Sequence, residues 1–396
     1  MKSALTIEDI SLEIASGIAC ALSQVVSDGV LHLRPFSVTD DGRLSIADAP
    51  RIPQSAVPAN KMRFEAGDIL FNNTNSVELV GKSAVFSTVL DASFSNHMTR
   101  IRVNRRHAEP GYVHAYLRHL YRRRFFQDRA TRWVSQAAFG TAQLKALEVP
   151  LPPLEEQRRI VGLLDRAAEI RRSTDAARSR ARAIIPALFL DTFGDPATNP
   201  KGWPETQLSE VIATTLSYGS MTSPRASDDE WLDIRVANIK GNQIDHSDKK
   251  YVTLEPSLAA KHSLADGDIV LARAIGSESH LGKCAVVYPG KERWAYDSHI
   301  MRIRVDQNRI SPVWLHTLMN TDGGKARLLR QKRASAIQHN INTKEVAIFR
   351  FSLPPLPLQT AFAEQAQRLE ALARALDTAC AKAIAMAAGL SAEVFG

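Results

Sequence analysis

Leu151-Pro152-Pro153-Leu154-Glu155-Glu156-Gln157-Arg158-Arg159-Ile160 is the stretch on which the reading of this chain turns. Two adjacent prolines force an extended backbone, since each fixes φ and steers the residue before it out of the helical region. The segment from there to Phe193 carries apolar or small residues every seven positions. One set is Ile160, Ala167, Thr174, Ala181 and Leu188; the other is Leu163, Ile170, Ala177 and Ile184. Sustained over about four heptads, the pattern predicts a coiled-coil helix, roughly 55–60 Å long. Pro186 lies inside it and is expected to kink it or relax its last turn.

The same stop and helix occur again. Leu353-Pro354-Pro355-Leu356 is succeeded by Phe362, Leu369, Leu376, Ala383 and Leu390, with Leu372, Ala379 and Met386. Working outward, the rest of the chain is doubled too. Gly67-Asp68-Ile69 returns as Gly267-Asp268-Ile269, and Gly81-Lys82-Ser83-Ala84-Val85 as Gly282-Lys283-Cys284-Ala285-Val286. His97-Met98-Thr99-Arg100-Ile101-Arg102-Val103 returns as His299-Ile300-Met301-Arg302-Ile303-Arg304-Val305, and Phe193-Gly194 as Phe395-Gly396. The offset drifts only from 200 to 202, so the chain is two copies of one unit.

Within each copy the residues before the proline stop read as α+β. Asp68–Phe71, Ser83–Phe86 and Arg100–Val103 are short, β-rich and bounded by Gly, Asn or Ser, as are Asp268–Leu271, Cys284–Val287 and Arg302–Val305. Tyr112–Phe126 has helical spacing, and so does its counterpart beginning near Trp314. The expected domains are a first globule at 1–150, a helix at 151–194, a second globule at 195–352 and a second helix at 353–396. The order globule, helix, globule, helix calls for an antiparallel helix pair with two similar heads in pseudo-two-fold symmetry.

Composition sets the outer limits. With 396 residues, 44% hydrophobic and 23% charged, the chain can bury ordinary cores. A net charge of +8 favours a polyanionic partner. Cys20, Cys284 and Cys380 stand far apart, which argues against a disulfide framework or a structural zinc and for a reducing cytoplasm. No leader pattern opens the sequence, and no uninterrupted apolar run of roughly 18 residues is seen, so a membrane span is not expected.

The two copies share a frame and differ in defined polar places. The candidate DNA contacts are Asn72, Asn75, Lys82, His97, Arg122, Arg123, Arg124, Arg129 and Arg132 in the first copy. In the second they are Arg273, Ser277, Lys283, His299, Arg330, Arg333, His339 and Asn340. Arginine forks suit guanine, Asn amides suit adenine, and Arg or Lys suits phosphate. The matched His97 and His299 fit a structural role equally well, and Lys82 and Lys283 fit a plain turn. Trp133, Trp231 and Trp294 are expected to pack. Catalytic signatures are missing: no Asn/Asp-Pro-Pro-Tyr/Phe occurs, and the loop ending Gly81-Lys82-Ser83 has Ser76 where a phosphate-binding loop needs Gly. Neither an active site nor a metal site is expected.

These residues together resemble a family. The Leu151–Ile160 stretch and its helix look like the central spacer of Type I restriction–modification specificity subunits. The segment from Gly67-Asp68-Ile69-Leu70 to Gly81-Lys82, with its second copy, resembles their target-recognition domains. Phe193-Gly194-Asp195-Pro196 through Gly202-Trp203-Pro204 is similar to the family's entry into the second such domain. The resemblance covers nearly the whole chain. It implies that each head reads half of a split double-stranded DNA site, and that the helices set the gap and hold two methyltransferase subunits. Glu155, Glu156, Gln157, Arg158 and Gln359 would be the partner contacts, although the second spacer has Pro357-Leu358 in place of the acidic pair. The chain itself would carry no cofactor. S-adenosylmethionine would serve the methyltransferase partners, and ATP and Mg²⁺ the translocase–nuclease subunits. Two other readings stay open: a specificity subunit whose single partner both methylates and cuts, and a coiled-coil scaffold whose heads bind proteins.

Overall fold

A computed structural model describes residues 3–21, 25–61, 63–134, 136–223, 231–275, 281–330 and 339–396. The chain divides into two compact units, one of residues 1–174 with 378–396 and the other of residues 175–377.

The first unit centres on an antiparallel sheet in the order Ser11–Ser16, Met98–Val103, Ile69–Asn72, Ser83–Val85. Both faces of this sheet are covered. Ile69, Phe71, Ile101 and Val103 enter one core with Tyr112, Val113 and Leu117 of the helix Pro110–Arg122. Leu70, Ala84 and Met98 point the other way, into a core with Leu33, Phe64 and Phe94. Alternate residues therefore meet opposite cores, and the Ile-Leu-Phe run is continuously apolar for that reason.

The second unit repeats the plan. Its sheet runs Ser217–Tyr218, Ile300–Ile303, Ile269–Ala272, Cys284–Val286. Ile269, Leu271, Met301 and Ile303 join Trp314 and Leu315, while Val270, Ala272 and Ile300 join Trp294 and Tyr296.

The repeated motifs now have physical causes. Gly67 and Gly267 turn at φ of +97° and +87°, a region that favours glycine. The aspartate after each glycine takes a two-pronged bond from an arginine at the end of the neighbouring strand, Arg102 within it and Arg304 one residue past it. Arg102 donates from Nε and Nη2 to Asp68 at 2.8 and 2.7 Å, and Arg304 does the same to Asp268 at 2.7 and 2.6 Å. Charge-assisted forks of this kind satisfy a buried carboxylate. The helix expected over Tyr112–Phe126 is in fact two. Pro110–Arg122 ends, Arg124 adopts a left-handed φ of 60°, and Phe125–Arg129 starts a second short helix. The second unit is broken at the equivalent place, between Pro312–Asn320 and Asp322–Leu329, but there by an extended Thr321 (φ −71°) whose side chain caps the second helix by accepting from the Gly324 amide.

The two long helices are Leu154–Phe193 and Leu356–Phe395, each of 40 residues and the first continuous through Pro186. In the first unit the start of one meets the end of the other: Ile160 and Leu164 share a core with Val394 and Phe395. In the second unit the roles exchange, with Phe189 and Phe193 each 5.5 Å from Phe362. Within each unit the helices are therefore antiparallel.

The second set of seam positions differs from the heptad reading by one residue. Ile160, Thr174 and Ala181 are buried, but Leu163, Ile170 and Ile184 are exposed, and Leu164, Arg171, Arg178 and Ile185 line the seam instead. In the partner helix Ala366, Ala373 and Cys380 are buried where Leu372 and Met386 are not. The apolar residues misled because the true seam position on the first helix holds arginines. Those are paired: Arg171 with Asp41 at 3.5 Å, and Arg178 with Asp377 at 2.8 Å.

The expectation that no segment could span a membrane also needs correction. Leu356–Phe395 is long and apolar enough by length and composition, with a mean hydropathy of 1.3 over its best window. Alanine carries much of that score, and Phe362, Ala363 and Ala366 pack in the second unit's core.

Candidate nucleic-acid interface

In the first unit a small antiparallel ribbon places Thr131–Arg132 beside Ala137–Ala138, and that strand beside Thr74–Asn75. Arg132, Ala137 and Asn75 thereby fall in one row. Ala137 is fully buried and roots the ribbon, next to Phe139, whose ring lies 5.0 Å from that of Phe126. Arg132 donates to the Gln127 carbonyl at 3.2 Å, and Arg129 lies over the Phe125 ring at 3.9 Å. Asn75 accepts from the Ser76 amide through Oδ1 at 2.8 Å.

The arginine run is thus no single stripe. Arg123 and Arg124 sit exposed at the helix break, while Arg129 and Arg132 flank the ribbon. Arg122 lines a cavity of about 600 Å³ with Arg118 and Arg171. Burial and then the Arg122 charge push the Arg118 guanidinium down to about 10.

Other residues chosen from sequence belong to the frame. Asn72 is fully buried and donates through Nδ2 to the Pro35 carbonyl at 3.0 Å, so it has no surface to offer a base. Lys82 is buried and spent on Asp40 at 2.8 Å. His97 is half-buried, and its carbonyl accepts from the amides of Asn73 and Thr74. His299 is exposed, with Nδ1 3.4 Å from Asp297. Lys283 is half-buried and Arg330 exposed.

In the second unit Ala274–Ile275 pairs with His339–Asn340, the equivalent of the first unit's inner ribbon pair. Arg273 immediately precedes it. Its guanidinium lies 3.9 Å over the Tyr218 ring, with Nε on the Ser298 carbonyl at 2.9 Å and Nη1 on Asn340 Oδ1 at 2.9 Å. Ser277 and Arg333 lie outside the described residues, as does the side chain of His339.

The spacer contacts divide. Gln157 and Gln359 are 1% and 0% exposed. Gln157 accepts from the Glu109 amide and donates to the Pro152 carbonyl, each at 2.8 Å. Gln359 accepts from the Ser311 amide at 2.9 Å and donates to the Pro354 carbonyl at 2.7 Å. Both clasp the start of a long helix to its own head and cannot touch a partner. Glu155 and Arg158 are exposed, and Glu156 is half-buried and forked to Arg159 at 2.7 Å.

Sequence reasoning missed three features. Trp133 is 59% exposed, whereas Trp294 is buried and Trp231 packs beside Val252 and Leu254. Tyr218 beneath Arg273 carried no signal, because its strand has only two residues. Arg118 showed none either, because the second copy has Asn320 in that place.

Residues 52–174 match the family model of the Type I restriction modification DNA specificity domain. The chain is 23% identical over 372 residues to the Type I restriction enzyme StySPI specificity subunit of Salmonella potsdam, covering 90% of this chain and 78% of that protein. It is 21% identical over 382 residues to the Type I restriction enzyme EcoKI specificity subunit of Escherichia coli K12, covering 93% and 82%. In fold it is similar to the crystal structure of the Type I restriction–modification S subunit from M. genitalium. That likeness has a TM-score of 0.64 at 13% identity over 100% of this chain and 96% of the other. The class these features define is a DNA specificity subunit with two α+β heads and two long helices. Over nearly its whole length the chain is similar to Type I restriction–modification specificity subunits, and its residues 52–174 match their DNA specificity domain.

Proposed function

We propose that this chain reads a bipartite site on double-stranded DNA for a Type I complex, with target-recognition domains at 1–150 and 195–352 and helices that set the unread gap. The observation that carries the reading is that one frame presents different polar chemistry at equivalent places. The first head offers Asn75 and Arg132 on its ribbon, and the second offers Arg273 and Asn340. A shared scaffold with unlike base-reading groups suits two unlike half-sites. Arg123, Arg124 and Arg129 would take phosphate in the first head, with Arg330 serving the second.

Methyltransferase subunits would dock along the long helices. Exposed apolar side chains on these helices, Leu163, Ile170 and Met386 in the first unit and Ile184 and Leu372 in the second, would serve that contact, with Glu155, Glu156 and Arg158 as polar groups at the start of the first helix. The recognition subunit would then act without chemistry of its own, in the cytoplasm. S-adenosylmethionine would belong to the methyltransferases, and ATP and Mg²⁺ to translocase–nuclease subunits.

Exchanging residues 1–149 for the first head of another family member tests the proposal. Methylome sequencing of the host should show one half of the methylated site replaced and the other kept. Replacement of both halves, or no split adenine-methylated site at all, would overturn it.

A further inference from the structure

We propose that Trp133 and Val134 form an apolar wedge that enters the DNA and parts one base step in the half-site of the first head; this rests on the DNA-reading role proposed above. The pair sits at the tip of the ribbon hairpin, where the Trp133 amide donates to the Gln136 carbonyl at 2.7 Å. Trp133 is 59% exposed and Val134 is fully so. A single exposed apolar side chain is ordinary. An adjacent pair held out on a rooted hairpin is not, because the other large rings of this ribbon region are turned inward. Phe126 and Phe139 are buried beneath it, and Phe125 is covered by Arg129.

The surroundings decide which partner the tip fits. Arg129 and Arg132 are exposed beside its base, Arg123 and Arg124 are exposed at the helix break nearby in sequence, and Asp128 is the one acidic residue from Arg122 through Ala138. A cationic collar around an apolar tip matches a polyanion with a stacked apolar interior. That is how wedge side chains work: the collar holds the phosphates while the ring enters between bases and kinks the duplex. An indole stacks on any base, so the contact would position the first head without naming a nucleotide.

The second head lacks the device in its sequence. By the ribbon register, Ala137 corresponds to His339, so Trp133 and Val134 correspond to Ser335 and Ala336. Unstacking should be confined to one half of the site.

The test uses the full chain and a duplex bearing the split site found by methylome sequencing, with 2-aminopurine placed at successive steps of each half. Wild-type protein should raise the fluorescence several-fold at one step of the first half and nowhere in the second. Trp133→Ala should abolish the rise and weaken binding by roughly tenfold or more, while Trp133→Phe keeps most of both. Matching circular dichroism and melting curves would show the variants folded. A rise that survives Trp133→Ala, or a bound duplex with no rise anywhere, overturns the wedge and leaves DNA reading intact. A wild-type chain that binds no duplex at low salt overturns both.

Discussion

Arg273 donates from Nη1 to Asn340 Oδ1 across 2.9 Å, although the two are 67 residues apart in sequence. The bond joins the end of a core strand to the two-residue ribbon, and Tyr218 supports the same guanidinium from below. Each partner therefore fixes the aim of the other. If the pair reads bases, Arg273→Ala and Asn340→Ala should each cost about 1–3 kcal/mol on the cognate second half-site. Together they should cost clearly less than the sum, since residues in one network are not additive. Fluorescence anisotropy on cognate and scrambled half-sites measures this. Full additivity, or equal losses on both duplexes, would sink the idea.

The exposed arginines of the first head make a separate prediction. Changing Arg123, Arg124 and Arg129 together to Ala should weaken binding at low salt, to similar degrees on cognate and non-cognate DNA. The log–log salt slope should become shallower by roughly 0.9 for each phosphate no longer neutralised. An unchanged slope would mean that these arginines are only a solvated edge.

The glutamine clasps bear on stability first and on assembly only through it. Gln157→Ala would leave the Glu109 amide and Pro152 carbonyl without their partner, and Gln359→Ala the Ser311 amide and Pro354 carbonyl. Each should cost about 1–3 kcal/mol in urea unfolding. Each should also impair assembly with methyltransferase more than Glu155→Ala does, because the helix start moves. Wild-type stability in either variant would show that the clasp is not needed.

Asp233 predicts an unusual pH dependence. It is 2% exposed, and neither carboxylate oxygen has a hydrogen-bond partner among the described residues. Burial, helped by the nearby Asp297 charge, pushes its pKa up to about 7. Its folded pKa is raised, so its contribution is whole near pH 4 and is lost as pH rises through 7. Asp233→Asn should therefore unfold at higher urea than wild type at pH 8, by on the order of 2 kcal/mol, and the two should converge at pH 4. His114 and His316 act oppositely. Burial lowers both to about 4, so the stability they lend is full above pH 6.5 and fades as pH falls toward 4. Equal unfolding of wild type and Asp233→Asn at pH 8 would refute the Asp233 account.

Periodicity and repetition carried most of the architecture. The prolines at 152, 153, 354 and 355 announced both helices, and the doubled Gly-Asp-Ile and Arg-Ile-Arg runs announced both heads. The seam register slipped because Leu163 and Ile170 look apolar, while the arginines beside them are neutralised by aspartates that only the fold brings near. The site was harder to read. Asn72 and Lys82 differ from loop residues only in burial, and no sequence signal distinguishes them from Asn75. Repetition itself misled at Gln157 and Gln359: the match that suggested a partner contact arises because the same internal clasp is needed twice. Trp133 was misplaced because an aromatic residue is most often buried, and only the hairpin geometry turns this one outward.

The sharing of the long helices has a consequence for synthesis. The first unit needs residues 378–396, where Phe395 lies 5.2 Å from the Tyr112 ring and Ser391 bonds His119 at 3.0 Å. A ribosome adding about 5–20 residues per second needs on the order of 10–40 s to pass from residue 174 to residue 395. Throughout that interval the first head waits with Tyr112, Tyr116 and His119 uncovered, while the second unit has every segment it requires once residue 377 is made. The head that is translated first is completed last.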